Sequence, residues 1–180
     1  MKRMSKSLRV TVILSMLAAI SIICGKYLAI NGGEVMRFSL ENMPIIFAGM
    51  AFGPAAGAIV GVVADLVGCL MVAYTVNPLI TLGAAAIGAI SGVIPSLLIP
   101  VLKDKRLITV ITVAASHIIG SVLIKTVGLA AYYDMPLIVL MLWRMLNYVI
   151  VGIIDGIVVH ILINHKGIKS HISDMNGDKK

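Results

Sequence analysis

The apolar positions of this chain fall into long continuous runs, which short polar or glycine- and proline-containing segments separate. A helix rises about 1.5 Å per residue, so about 20 apolar residues cross a hydrocarbon core of about 30 Å. The run over residues 43–71 is too long for one such helix, and it contains the helix breaker Gly53-Pro54. We therefore predict six membrane-spanning helices, over residues 8–30, 43–52, 54–71, 78–102, 107–129 and 136–163. The second of these is short, and we expect its neighbours to shield it from lipid.

The distribution of basic residues tests this division of the chain. Lys and Arg are enriched in the short cytoplasmic loops of membrane proteins. One basic cluster precedes the first predicted span, a second occupies residues 103–106, and a third begins at Lys166. With six spans all three clusters lie on the same side of the membrane, whereas an undivided span over 43–71 would put the second cluster on the other side. The pattern therefore predicts that both termini are cytoplasmic.

The composition favours an all-α integral membrane protein. Of the 180 residues, 59% are hydrophobic and 13% are charged, which is more apolar surface than one soluble core could bury. No proline-rich, serine-rich or charge-dense linker divides the chain. We expect one six-helix domain in the lipid bilayer over residues 1–165, followed by a short basic cytoplasmic tail over residues 166–180.

Several functional classes lack their motifs in this sequence. The net charge is +7, but the cations gather beside apolar spans without an aromatic-basic groove, so no nucleic-acid partner is expected. There is no P-loop, so energy from ATP would have to come from a separate protein. Neither HExxH nor GxSxG occurs, and the cysteines and histidines lack metal-site spacing, so we predict no cofactor and no metal. An intramembrane enzyme that uses Asp65, Asp155 and Arg144 is an alternative. Otherwise Asp65 is a buried hydrogen-bonding group or a counter-charge, and Asp155, about three helical turns after Arg144 on the same face, points into the bundle.

Four basic residues lie outside the cytoplasmic clusters, namely Lys26, Arg37, Lys125 and Arg144. In the predicted topology all four fall toward the outer side of the membrane. Lys26 and Lys125 either snorkel to the interface or face a ligand. Arg144 lies roughly two turns into the last span, where a cation needs a partner or water, and Asn147 shares its helical face. This pattern favours a ligand-binding role for Arg144.

Aromatic and amide groups accompany these cations on the outer side. Tyr148 shares the helical face of Arg144, and Tyr74 and Asn77 lie in the loop between the third and fourth predicted spans. Arginine binds carboxylates through its planar fork, and aromatic rings stack on planar heterocycles. The set suits a flat anionic solute, while interfacial tyrosine belts and ordinary turn chemistry are the alternative interpretations of the neutral residues.

Small residues recur at every fourth position in the third and fourth predicted spans. They are Gly53, Gly57 and Gly61 in the one and Ala84, Gly88 and Gly92 in the other. This spacing lets helix backbones approach closely in lipid, so we expect these spans to pack within the bundle. Ser15 and Ala19 form a shorter patch on the first span, for which packing inside the bundle and docking onto a partner membrane protein both stay open.

The sequence resembles the substrate-binding S components of energy-coupling factor (ECF) vitamin transporters, over about residues 8–164. The residues that carry the likeness are Arg37-Phe38-Ser39, Pro44, Phe52-Gly53-Pro54, Gly57, Gly61, Asp65 and Gly68. The pattern is most similar to the folate-specific subgroup. The resemblance implies a six-helix subunit of a bacterial cell membrane that captures a vitamin from outside, releases it inside and catalyses no reaction of its own.

The resemblance also implies partners and site residues. The partners would be a transmembrane coupling subunit and two ATPases, with the coupling subunit docked on a small-residue patch for which Ser15, Ala18 and Ala19 are the nearest match. Loops over residues 31–40 and 73–77 would close the pocket. The implied substrate-binding residues are Lys26, Arg37, Phe38, Ser39, Tyr74, Asn77, Lys125, Arg144 and Asn147.

Folate is the vitamin that best fits the groups on the outer side. Its planar pterin suits aromatic and amide side chains, and its two carboxylates suit several cations. Biotin and pantothenate carry one carboxylate each, for which four cations would be more than needed. Riboflavin and thiamine carry no carboxylate, so they would not account for the cations. We therefore predict folate, with riboflavin, pantothenate, biotin or a queuosine precursor as the alternative substrates of such a subunit.

Overall fold

A computed structural model describes residues 6–31, 37–72, 75–133 and 136–176 of the chain. Within these ranges the protein is helical apart from one very short strand pair. The helices are α1 (Lys6–Lys26), α2 (Asn42–Phe52), α3 (Pro54–Met71), α4 (Pro78–Leu98), α5 (Lys105–Ser116), α6 (Lys125–Tyr133), α7 (Leu137–Asn164) and α8 (Lys166–Asn176). A π-helical segment, His117–Ile124, joins α5 to α6, so that these three form one continuous span.

Five helical segments of the described chain are long and apolar enough to cross a membrane. They are Ser7–Lys26, Pro54–Met71, Pro78–Leu98, Lys105–Tyr132 and Leu137–Asn164. The remaining predicted span coincides with α2, which has 11 residues and is largely buried against α1, α3, α4 and α7. The helical class of the membrane fold is therefore confirmed, whereas the number of crossings and the side on which the termini lie stay predictions.

Breaker and capping residues explain where the helices end. Gly53 has φ +94°, a conformation that favours glycine, and it lets the chain reverse between α2 and α3. Asn77 and Asp104 cap α4 and α5, since their side-chain oxygens accept hydrogen bonds from the amides of Leu79 and Arg106. The predicted break at Gly53-Pro54 is thus a helix boundary in the structure.

The strand pair ties the chain back after α1. Strand β1 (Ile30–Asn31) pairs antiparallel with β2 (Arg37–Phe38), with Ile30 opposite Phe38. This pairing is a small departure from the predicted all-α class. It holds the chain that enters α2 close to the end of α1.

The core of the bundle is a contact between the backbones of α2, α3 and α4. A Cβ atom on Gly57 would lie 2.3 Å from the carbonyl oxygen of Gly88, and one on Gly88 would lie 2.0 Å from the oxygen of Gly57. A Cβ on Gly49 of α2 would also lie 2.4 Å from the Gly88 oxygen. Because no side chain separates these helices, the packing predicted from the small-residue repeats is confirmed.

A buried polar pair connects the π-helical segment to α7. His117 Nε2 lies 3.0 Å from Asp155 Oδ2, and both side chains are excluded from solvent. The His117 ring also stacks on Tyr148, with 5.1 Å between the ring centroids. The sequence left the partner of Asp155 open, and the structure supplies His117 as that partner.

Helix α8 was not predicted. The sequence predicts a short basic cytoplasmic tail over residues 166–180; within it, Lys166–Asn176 is helical, and Ile168 and Ile172 pack against the hydrophobic core. The apolar residues that recur at i and i+4 explain this packing. The tail is therefore an amphipathic helix as far as Asn176.

We predict that Gly88→Val destabilises the protein by about 1–3 kcal/mol or more, because the added atoms would overlap the Gly57 backbone. Thermal unfolding of the detergent-purified protein measures this effect. Gly156→Ala is the matched control, since a Cβ at Gly156 has no atom within 4 Å. Equal melting temperatures for the two variants would contradict a close backbone contact at Gly88.

We also predict that His117→Phe costs about 1–3 kcal/mol of stability, because the aromatic ring is retained while Asp155 loses its hydrogen-bond donor. The double variant His117→Phe/Asp155→Leu should recover part of this loss. A double-mutant cycle on unfolding free energies measures the coupling between the two residues. Additive effects in the cycle would show that the pair does not interact as described.

Candidate functional site

A polar cavity lies at the end of the bundle where α1 and α3 finish and α4 begins. Its volume is about 180 Å³. Residues from α1, α3, α4, α6 and α7 and from the connections before α2 and α4 line it. They are Lys26, Ser39, Glu41, Asp65, Cys69, Thr75, Asn77, Ile80, Lys125, Leu129, Tyr132, Arg144 and Tyr148. Three basic and two acidic side chains thus face one small space.

Lys125 is held in the cavity wall by an ion pair. The residue is 4% exposed, and its Nζ donates hydrogen bonds to Glu41 Oε1 at 3.1 Å and to Asn42 Oδ1 at 3.3 Å. Two glycines make room for the pair: a Cβ on Gly83 would lie 2.5 Å from Lys125 Cγ, and one on Gly25 would lie 2.8 Å from Glu41 Oε2. Lys125 therefore does not snorkel to the interface, and an acid neutralises its charge.

Arg144 meets only neutral acceptors among the described residues. Its Nη2 donates to the carbonyl oxygen of Ser121 at 3.3 Å and to the Tyr148 hydroxyl at 3.1 Å. The guanidinium carbon lies 5.3 Å from the centroid of the Tyr148 ring. Its Nε is buried and has no hydrogen-bond partner among the residues the structure describes. A partly buried cation of this kind gains most from an anionic ligand, because such a ligand supplies the missing charge and acceptor.

The remaining polar groups of the cavity are fixed by bonds between helices. Thr81 Oγ1 donates to Asp65 Oδ2 at 2.6 Å, which joins α4 to α3. Asn77 Nδ2 donates to the carbonyl oxygen of Gly128 at 2.9 Å, while its Oδ1 caps α4. Thr75 and Tyr132 are hydrogen-bonded to each other through their hydroxyls. Asp65 therefore both supports the bundle and lies in the cavity wall.

The structure brings five of the predicted substrate-binding residues to this cavity, namely Lys26, Ser39, Asn77, Lys125 and Arg144. Phe38 and Asn147 are described by the structure but do not line the cavity. Phe38 is half-buried in β2, and Asn147 is buried on α7. Tyr74 lies outside the described residues, as does the side chain of Arg37.

The predicted docking patch on α1 divides between two faces. Ser15 and Ala19 are exposed, whereas Ala18 is 4% exposed and packs into the hydrophobic core. Of the three predicted docking residues, Ser15 and Ala19 therefore face outward. Ala18 serves the packing of α1 against the bundle.

Sequence reasoning missed several residues of the cavity wall. Cys69, Thr75, Ile80, Leu129 and Tyr132 carry no sequence signal that separates them from ordinary span or loop residues. Glu41 is not among the predicted site residues, although an acid placed just before an apolar run is a visible signal. Its partner Lys125 lies 84 residues further along the chain, so the pairing itself could not be deduced.

Metal binding has no support in the described ranges. No group of three or more His, Cys, Asp or Glu side chains is placed there to hold an ion. The groups gathered in the cavity are a guanidinium, two ammonium groups, two carboxylates, hydroxyls and aromatic rings.

Comparison with known proteins identifies the family. A search of curated protein sequences found no match. Among solved structures, the chain is similar to one described as FolT bound with folic acid, with a TM-score of 0.68 and 23% identity over 88% of this chain and 93% of the other. It is also similar to the S component of a bacterial ECF transporter, with a TM-score of 0.68 and 20% identity over 89% and 96% of the two chains. At these identities the likeness establishes the fold alone.

The family model for the substrate-specific component of ECF transporters matches residues 3–163, which is most of the chain. This range contains all the residues that line the polar cavity and all five candidate spans except the last residue of the fifth, Asn164. Substrate-specific components are membrane-embedded binding subunits of transporters, so the family assignment accounts for both the apolar helices and the polar site between them. The chain belongs to the substrate-specific components of ECF transporters.

Proposed function

We propose that this chain is the high-affinity folate-binding subunit of an ECF transporter. The observation that carries the proposal is Arg144, a partly buried guanidinium in the cavity wall that has no acidic partner among the described residues. A ligand carboxylate can neutralise the charge of this side chain and accept two parallel hydrogen bonds from its planar guanidinium. The similarity to a folate-bound FolT structure supports the choice of vitamin.

The arrangement of the cavity suggests how folate would lie. Its glutamate carboxylates would approach Arg144, because the charge of Lys125 is already paired with Glu41, and Lys26 lines the same wall. Its pterin would lie against the aromatic and polar groups of the same wall, where the Asp65 carboxylate can accept hydrogen bonds from ring N–H groups. In this assignment Lys125 acts as a structural cation that keeps Glu41 neutralised.

The polar cavity is too small to admit folate without a change in its walls. Its volume of about 180 Å³ is smaller than the roughly 300–1,000 Å³ of ordinary small-molecule pockets. A molecule as long as folate therefore requires the connections before α2 and α4, which supply Ser39 and Thr75 to the wall, to move outward. Arg37, Phe38 and Tyr74 belong to these connections and are proposed to contact the vitamin there.

The proposal includes a topology and partners. Six crossings with both termini in the cytoplasm would put the cavity on the outer side of a bacterial plasma membrane. Delivery would require a transmembrane coupling subunit and two ATPases, because the chain has no P-loop of its own. The exposed Ser15 and Ala19 of α1 are the surface proposed for the coupling subunit.

Two alternatives follow from the same observations. A different vitamin, such as riboflavin, pantothenate, biotin or a queuosine precursor, would occupy the same cavity with a different set of polar contacts. An intramembrane enzyme would need Asp65 or Asp155 to reach a reacting group, yet Asp65 is bonded to Thr81, and Asp155 is bonded to His117 away from the cavity. Binding without turnover distinguishes the subunit from the enzyme.

We expect purified protein to bind folate stoichiometrically and Arg144→Gln to weaken binding at least about tenfold, which corresponds to about 1.4 kcal/mol. The substitution removes the charge and the bidentate fork but keeps a polar side chain. Isothermal titration of the detergent-purified variants with folate, riboflavin and biotin measures affinity and specificity together. Lys103→Gln, an exposed basic residue outside the cavity, is the matched control.

Two results would count against this assignment. Unchanged folate affinity in Arg144→Gln would remove Arg144 from the site. Tight riboflavin or biotin binding by a protein that does not retain folate would keep the binding subunit but change its vitamin.

We expect vesicles that contain this chain alone to bind folate without accumulating it, because binding supplies no energy for uphill transport. Uptake of radiolabelled folate with internal ATP, in the presence and absence of coexpressed coupling subunit and ATPases, tests this. Folate that accumulates against a gradient in vesicles with this chain alone would contradict the partner requirement.

A further inference from the structure

A second cavity opens between α7 and the continuous helix that α5 and the π-helical segment form. We call it the α5–α7 groove. Its volume is about 520 Å³, so it is larger than the polar cavity. Its walls are apolar along most of their length, and residues such as Val110, Ile118 and Ile157 on its two sides are exposed. It runs from Arg106 on α5 to Val122 in the π-helical segment.

The depth of the groove comes from two glycines on α7. Gly152 and Gly156 lie one turn apart on its floor, while Ile153 and Ile157 stand beside them. A Cβ on Gly156 would meet no atom within 4 Å, so the space above this residue is open. The groove is therefore wide enough for a chain of methylene groups.

One end of the groove is polar and basic. Arg106, Thr109 and His160 line it there, and Thr109 Oγ1 lies 3.4 Å from His160 Nδ1. Arg106 forms no ion pair with any residue in the described part of the chain. Lys103 and Lys105 are adjacent in sequence and exposed, so the basic charge at this end extends beyond the groove itself.

We propose that the α5–α7 groove is a binding site for one anionic phospholipid, whose headgroup phosphate pairs with Arg106 and whose acyl chain lies along the glycine floor. A protein helix would need a polar or small-residue surface to match the basic end, whereas a phospholipid combines an anionic head and an apolar tail in one molecule. Basic pockets between transmembrane helices commonly bind anionic headgroups. The proposal requires only that the bundle is embedded in a bilayer, and it does not depend on which vitamin is bound.

The test uses the full-length detergent-purified protein and native mass spectrometry. The probes are phosphatidylglycerol and phosphatidylcholine with identical acyl chains, titrated separately. We expect phosphatidylglycerol to be retained about fivefold more strongly, since one basic residue contributes an attraction of this order for an anionic lipid. Equal retention of the two lipids by the wild-type protein would overturn the proposal.

Two substitutions examine the two halves of the site. Arg106→Gln should abolish the preference for phosphatidylglycerol, and Gly156→Leu should reduce the occupancy of both lipids because its side chain fills open space in the groove. The matched controls are Lys103→Gln, which removes a nearby charge outside the groove, and Ala55→Leu, which enlarges an exposed residue elsewhere.

The control variants distinguish a specific lipid-binding site from a nonspecific electrostatic attraction of anionic lipid to the basic protein. If Lys103→Gln lowers the preference as much as Arg106→Gln, the lipid is held by overall charge and no specific site exists. If Gly156→Leu and Ala55→Leu retain lipid as well as the wild type, the groove is not where the acyl chain lies. Size-exclusion chromatography of each variant verifies that the bundle is folded, and Gly156→Met provides a second, more flexible filling if Gly156→Leu is misfolded.

Discussion

The close approach of backbones at Gly88 is the contact on which the rest of the structure depends. In lipid, helices gain little from burying apolar side chains against each other, so association relies on packing and polar contacts. Gly57 and Gly49 both meet the Gly88 carbonyl, which fixes α2, α3 and α4 as one unit. That unit holds Asp65 within reach of Thr81, and the remaining helices are arranged around it.

Some charges between the helices have a partner of opposite charge and others do not, and this imbalance marks the binding site proposed above. Lys125 is paired with Glu41, and His117 with Asp155, so these groups stabilise the bundle without a ligand. Among the residues that the structure describes, Arg144 is bonded only to a carbonyl and a hydroxyl. A buried charge is costly without a partner of opposite charge. An anion bound in the cavity next to Arg144 would therefore stabilise the protein more than an anion bound beside Lys125 or His117.

Local signals predicted the helices, while the partners of the polar residues needed the structure. Gly53-Pro54 and Asn77-Pro78 mark helix ends because their conformational preferences act within a few residues. The meeting of Lys26, Lys125 and Arg144 followed from their common side in the predicted topology. By contrast, the His117–Asp155 pair depends on how two helices are rotated about their own axes, which a hydropathy pattern does not specify. The packing of Lys166–Asn176 likewise depends on surfaces of α1, α2 and α7 that a hydropathy pattern does not bring together.

The π-helical segment His117–Ile124 constrains how the length of this protein can change. Its i→i+5 bonding, seen where the Lys125 amide donates to the Gly120 carbonyl, sets the rotational phase between α5 and α6. Because successive helical residues are about 100° apart, a one-residue deletion here would turn Lys125 away from Glu41. Relatives of this chain should therefore vary in length in their loops and keep the residue count of this span.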